Sequence, residues 1–154
     1  MYKKHKYNIK KYDDIPLSLY KYLTPYARNK SYTIVVKKNK KVIFQARYYY
    51  LTKNFKKARN YPENVKYELG DLYLSEKYRG KKDKKLNKKY SNICFELILQ
   101  KNTVLWTTKD NIKAIKLYQK YGFKKISIKS NWLYKVFSKD NPWIKNKKII
   151  YFIN

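Results

Sequence analysis

The sequence predicts a mixed α/β fold in one domain, residues 1–154. Three observations predict it. Runs rich in β-branched and aromatic residues recur along the chain, stretches with apolar residues at helical spacing stand between them, and no internal repeat breaks the alternation. The length suits one ordinary domain, able to bury roughly two-thirds of the surface its unfolded chain would expose.

The elements follow in order. "KYNIKKY", from Lys6 to Tyr12, is a strand candidate. "DDIPLSLYKYL" has the marks of a helix start, with Asp14 as cap and Pro16 in the first turn, and Pro25 is expected to end that helix. "SYTIVVK" and "KVIFQARYYY", separated by the polar "KNK", read as a hairpin. "LTKNFKKARNYPENVK" reads as a polar connection through Pro62, and "YELGDLYL" as the next strand. From about Asp83, the apolar residues Leu86, Tyr90, Ile93, Leu97 and Ile98 follow helical spacing. "TVLWTT" is a strand, Ile112, Ile115, Leu117 and Tyr118 begin a short helix that Gly122 should close, and "FKKISIK" and "KIIYFI" are the last strands. The expected order is strand, helix, three strands, helix, strand, helix, two strands.

Lys plus Arg number 39 against 10 Asp plus Glu, a formal charge of +29, which favours anionic partners. Two explanations stand side by side. The only arginines are Arg28, Arg47, Arg59 and Arg79, and the excess of lysine, spread along the chain with abundant Tyr, Asn and Ile, is what a biased base composition produces. A true polyanion site is the other, and the 19 tyrosines could add stacking surface for single strands. Cys94 is the single cysteine, so neither a disulfide framework nor a CxxC metal pattern is available. The basic start lacks an apolar core followed by small residues, and no run reaches the roughly 18 apolar residues that span a bilayer. The expectation is a soluble cytoplasmic protein in a reducing compartment, with no membrane partner and no metal. His5, the only histidine, lies outside every motif and has no role assigned.

Gly80 follows a strand and precedes a helix, where backbone N–H groups and the helix dipole favour a phosphate. Its segment, "KYRGKKDKKLNKKY", could therefore hold the phosphates of a small cofactor or grip a nucleic acid.

Two longer segments carry a resemblance to a family. "ELGDLYLSEKYRGKK" looks like the fourth strand and pyrophosphate loop of the GNAT superfamily of N-acetyltransferases. "NIKAIKLYQKYGF" is similar to that family's N-x-x-A-x-x-L-Y-x-K-x-G-F, agreeing at Asn111, Ala114, Leu117, Tyr118, Lys120, Gly122 and Phe123. The element order extends the resemblance over essentially the whole chain. It implies a GNAT fold, a mixed and mostly antiparallel sheet with a central splay, flanked by helices. It also implies acetyl-CoA as cosubstrate, bound through backbone at Leu72, Tyr73 and Leu74, through the loop Arg79, Gly80, Lys81, Lys82, Asp83 and Lys84, and through Asn111 and Ala114. Lys82 and Lys84 depart from the pattern, because the family has small residues there. Either they add charge to the phosphate site or they obstruct it.

By the same resemblance Tyr118 protonates the departing sulfur, and the alternative for it is a core aromatic. Asn111 contacts the cofactor, caps the helix, or both. Glu68 stands where the histone-acetylating branch carries its general base, with Asp71 as second candidate. Odd separation on a strand points the two to opposite faces. A proton path through water, or an ion pair with a neighbouring lysine, would leave either acid without that role. The partner expected is a small-molecule or peptide amine, neutral or anionic because a domain at +29 repels polycations. A pseudoenzyme or a basic nucleic-acid-binding protein on the same fold is the alternative.

Overall fold

The structure, a computed structural model, describes residues 5–7, 17–23, 31–79, 88, 91–96, 99, 101–129 and 147–154. The chain divides into two units, the first made of Met1–Tyr50 and Leu69–Leu99, the second of Leu51–Glu68 and Gln100–Asn154.

The first unit is a sheet in the order β1-β2-β3-β4-β5, with β1 His5–Tyr7, β2 Leu17–Leu23, β3 Tyr32–Lys38, β4 Lys41–Tyr50 and the Leu69–Leu74 part of β5. Strands β1 to β4 pair antiparallel. Asn39 and Lys40 join β3 to β4 with φ of 47° and 64°, the doubly left-handed turn whose twist matches a two-residue hairpin. Tyr32 faces Tyr48, Ile34 faces Ala46 and Val36 faces Phe44, so these side chains share one side of the hairpin, and all are buried. The Tyr32 and Tyr48 rings stack at 5.1 Å, and Phe95, from the helical residues 91–96 (α3), meets Phe44 edge-on at 5.6 Å. Burial of each such side chain is worth about 1.5–3 kcal/mol. On the opposite side lie Thr33, its cross-strand neighbour Arg47, Gln45 and Tyr49.

One expectation fails here. Residues 17–23, expected within a helix, form strand β2, paired with β3 from Leu17↔Lys38 to Leu23↔Tyr32. Leu and Lys favour a helix by only tenths of a kcal/mol per residue, and a full ladder against β3 outweighs that preference. Asp14, Pro16 and Pro25 lie outside the described residues.

The second unit pairs the start of β5 (Tyr67–Leu74) with β6 (Thr103–Thr108), then β8 (Ile149–Ile153) and β7 (Lys124–Ile126). β5 and β6 run parallel through Tyr67↔Thr103 and Glu68↔Val104, while β6–β8 and β7–β8 are antiparallel. Leu51, Tyr61, Val65, Val104 and Tyr151 form its core, with Trp106, Ile126, Ile128, Ile149 and Ile153 packed around them. The stretch read as a polar connection contains helix α1, Lys53–Arg59. Its caps explain it better than its composition does. Thr52 Oγ1 accepts from the Phe55 amide, and Asn60 ends the helix in the left-handed conformation at φ 54°. Among the described residues the remaining helices are α2, Glu76–Arg79, and α4, Ile112–Lys120. The sheet is mixed and mostly antiparallel, flanked by helices, as the sequence predicts.

Candidate active site

Strand β5 carries most of the residues the sequence singles out. Leu72 and Leu74 are half-buried, while Asp71 and Tyr73 point outward. After the strand, Ser75 donates its amide to the Ile43 carbonyl at 2.8 Å and accepts from the Tyr78 amide at 2.8 Å, which starts the single turn of α2. Arg79 closes that turn. Its Nε donates to the Leu74 carbonyl, and its guanidinium lies 5.2 Å from the centre of the Tyr73 ring. A cation thus stands at the end of a half-apolar strand. Gly80, Lys81, Lys82, Asp83 and Lys84 lie outside the described residues.

Asp71 interrupts the extended backbone of β5 with φ of 48°. Its Oδ2 accepts from the Tyr49 hydroxyl at 2.8 Å and from Arg47 Nη1 at 3.2 Å. Burial, followed by the hydrogen bond to Asp71, pushes the Tyr49 phenol above its usual range. A Cβ at Gly70 would come within 3.3 Å of Tyr49 Cε2, so the ring has its place over β5 because residue 70 lacks a side chain. Arg47 Nε is buried with no hydrogen-bond partner. Asp is among the few residues other than glycine that visit the left-handed region, and the hydrogen bond from the Tyr49 hydroxyl to the charged carboxylate, worth about 1.5–3 kcal/mol, offsets the desolvated Arg47 Nε at about 1–3 kcal/mol.

In the second unit, Asn111 caps α4, its Oδ1 accepting from the Ala114 amide at 3.3 Å. The far end closes as a Schellman motif: the Phe123 amide donates to the Tyr118 carbonyl at 3.0 Å, the Gly122 amide to the Gln119 carbonyl at 3.1 Å, and Gly122 takes φ of 85°. The asparagine, glycine and phenylalanine of "NIKAIKLYQKYGF" are therefore helix caps, and the motif sets the rotation and length of α4. Tyr118 stands on that helix, 8% exposed, with the Phe123 and Phe152 rings at 6.1 and 5.9 Å. Burial pushes its phenol up to about 12. Among the described residues nothing accepts its hydroxyl proton.

Glu68 is buried, with its Oε2 taken by Arg59 Nη1 and by the Tyr61 hydroxyl, the latter at 2.7 Å. The Arg59 guanidinium also lies 4.0 Å from the centre of the Phe55 ring. The partner is an arginine from α1 rather than a neighbouring lysine. Leu72, Tyr73, Leu74 and Arg79 belong to the first unit, and Glu68, Asn111, Ala114 and Tyr118 to the second. Sequence reasoning missed Arg47, Tyr49, Arg59 and Tyr61; an arginine inside an aromatic strand run, "QARYYY", was the signal for the first two. Among the described residues no group of three or more His, Cys, Asp or Glu could hold a metal, and no helix is long and apolar enough to cross a membrane.

A family model described as the acetyltransferase (GNAT) family matches residues 4–123. No curated protein matches. Solved structures with a similar chain path include an acetyltransferase of the same family from Elizabethkingia anophelis with acetyl-CoA bound, at 18% identity and TM-score 0.47, covering 98% of this chain and 95% of that one. An IAA acetyltransferase from Bacillus cereus is 22% identical, with TM-score 0.47 and coverage of 80% and 76%. The N-acetyltransferase PseH of Campylobacter jejuni, in complex with acetyl coenzyme A, is 17% identical, with TM-score 0.41 and coverage of 80% and 67%.

Proposed function

The chain belongs to the GNAT acetyltransferase family, and from that premise we propose that it is an N-acetyltransferase, moving an acetyl group from acetyl-CoA directly onto an amine within one ternary complex. Acetyl-CoA supplies an activated thioester carbonyl. The work of the chain is to bind, orient and manage protons. Leu72, Tyr73 and Leu74 hold the apolar arm, and Arg79 begins the loop that takes the phosphates through Gly80, Lys81, Lys82, Asp83 and Lys84. What supports the fit is the end of β5, where half-buried Leu72 and Leu74 flank the exposed Tyr73 ring and the Arg79 guanidinium lies over that ring, an arrangement that suits a molecule with an apolar arm and an anionic end. Asn111 and Ala114 contribute the capped start of α4.

The observation that carries the reading is Tyr118, a protonated phenol set by both caps of its helix. Attack of the amine nitrogen forms an N–C bond as the C–S bond breaks; the sulfur then needs a proton and the amine must lose one. With its phenol at about 12, Tyr118 keeps its proton at neutral pH. An ordinary thiol titrates near 8.5, so complete transfer to a free thiolate would be uphill by roughly 5 kcal/mol. Tyr118 therefore donates a hydrogen bond to the sulfur as charge develops, and gives up its proton only as another arrives. Glu68, already held by Arg59 and Tyr61, fixes the entry of β5. The amine proton leaves through water. The acceptor is neutral or anionic, since the charge of +29 works against a polycation within roughly a Debye length, about 8 Å.

Thermal shift with acetyl-CoA and, separately, with a short DNA duplex, each at two salt concentrations, tests the class. Stabilisation by acetyl-CoA, together with an N-acetylated product by mass spectrometry, is expected. Stabilisation by the duplex alone, vanishing at high salt, would favour the polyanion-binding reading.

A further inference from the structure

Two protein donors converge on a single oxygen of Asp71, Oδ2, and the backbone at that residue is strained to present it. Gly70 makes room for the Tyr49 ring that delivers one of those donors. The carboxylate is 52% exposed and the Arg47 side chain 39% exposed, so both ends of the pair face solvent. The pair thus offers one negative and one positive group side by side, oriented by a tyrosine and open to solvent.

We propose that Asp71 and Arg47 are the recognition site for the acceptor, and that the acceptor is a free α-amino acid, with its amine and carboxylate on one carbon. The proposal rests on the transferase reading. Asp71 Oδ1, which neither Tyr49 nor Arg47 uses, takes an N–H of the acceptor ammonium, which releases one proton to water before the free amine attacks and a second as the amide forms. The guanidinium N–H groups that are neither buried nor engaged by Asp71 or Tyr49 take the acceptor carboxylate, as charge-assisted bonds. Tyr49 holds the Asp71 carboxylate in place while the amine binds. Asp71 directly precedes Leu72 on β5, so an amine at Asp71 lies along the same strand as the stretch assigned to the thioester arm. The pairing also explains discrimination. A polyamine brings only positive charge and meets Arg47, while a simple amine leaves the guanidinium without its anion.

The test is a matched panel. Each common L-amino acid is assayed beside its carboxamide and its decarboxylated amine, following free thiol release from acetyl-CoA, with wild type, Arg47→Gln, Arg47→Lys and Asp71→Asn. Acetyl-CoA thermal shifts and circular dichroism are recorded for every variant. At least one amino acid should exceed both its carboxamide and its amine by tenfold or more in kcat/KM. Arg47→Gln should reduce that preference to about threefold or less, chiefly through KM, with Arg47→Lys intermediate. Asp71→Asn should weaken all three classes alike. Carboxamides or plain amines that turn over as well as the acids, or a preference that survives Arg47→Gln in a folded protein, would overturn the proposal while leaving the transferase reading intact. A wild-type protein without any acetyl-CoA shift would overturn both.

Discussion

Strand β5 carries two carboxylates, Glu68 and Asp71, and each is held by one arginine and one tyrosine, yet the two clusters do opposite things. Arg59, Glu68 and Tyr61 are sealed: the paired side chains are 7% and 11% exposed. Arg47, Asp71 and Tyr49 are open, with the pair 39% and 52% exposed. The backbone differs as well, because Asp71 takes a positive φ whereas Glu68 stays in a regular ladder opposite Val104. The same side-chain chemistries, a carboxylate, a guanidinium and a phenol, therefore make an anchor where water is excluded and a recognition site where it is admitted. Desolvation decides between them: a buried charge must keep its partner, whereas an exposed one can exchange partners.

The largest effect that separates the clusters is on stability. Removing one member of the sealed pair, by Arg59→Met or Glu68→Gln, should cost about 3–5 kcal/mol in urea unfolding because an uncompensated polar group stays buried. Asp71→Asn should cost no more than about 1 kcal/mol. Equal losses would erase the distinction.

Alkaline pH sharpens the comparison at the tyrosines. Burial, then the Glu68 charge, raises the Tyr61 phenol far above its usual value of 10.0. The folded state therefore keeps a proton that the unfolded chain releases, so this stability is fully present below pH 10 and is lost as pH rises beyond it. The slope is about 1.4 kcal/mol per pH unit for each such tyrosine. Tyr61→Phe should flatten the stability profile above pH 10 by about that amount, and Tyr49→Phe should flatten it less. The smallest effect belongs to Gly70→Ala. The added methyl displaces the Tyr49 ring, and the Tyr49 phenol should titrate closer to its ordinary value by ultraviolet absorbance, with Tyr61 unchanged.

The parts of the fold legible in the sequence are those fixed by local pattern. Strands β3, β4, β5, β6 and β8 follow β-branched and aromatic runs, and α4 is written out by Asn111 at one end and Gly122 at the other. Strand β2 was not legible, because "LSLYKYL" suits a helix locally and only the ladder with β3 makes it extended. Helix α1 was hidden for the opposite reason. It presents no apolar stripe, its one buried residue is Arg59, and its ends are set by Thr52 and Asn60. The site divides in the same way. Tyr118 and the β5 candidates lie in contiguous motifs, but the partners that give Glu68 and Asp71 different characters arrive from α1, its following turn and β4. No local pattern links Arg47 to Asp71.

The central claim, that Tyr118 serves a sulfur leaving group in acetyl transfer, is tested most directly by single-turnover thiol release in wild type and Tyr118→Phe, with acetyl-CoA affinity measured on the same samples. The account predicts amine-dependent release in wild type, a loss of about 10²-fold or more in Tyr118→Phe, and little change in affinity. Equal rates in the two proteins, or release in wild type that no amine accelerates, would contradict it.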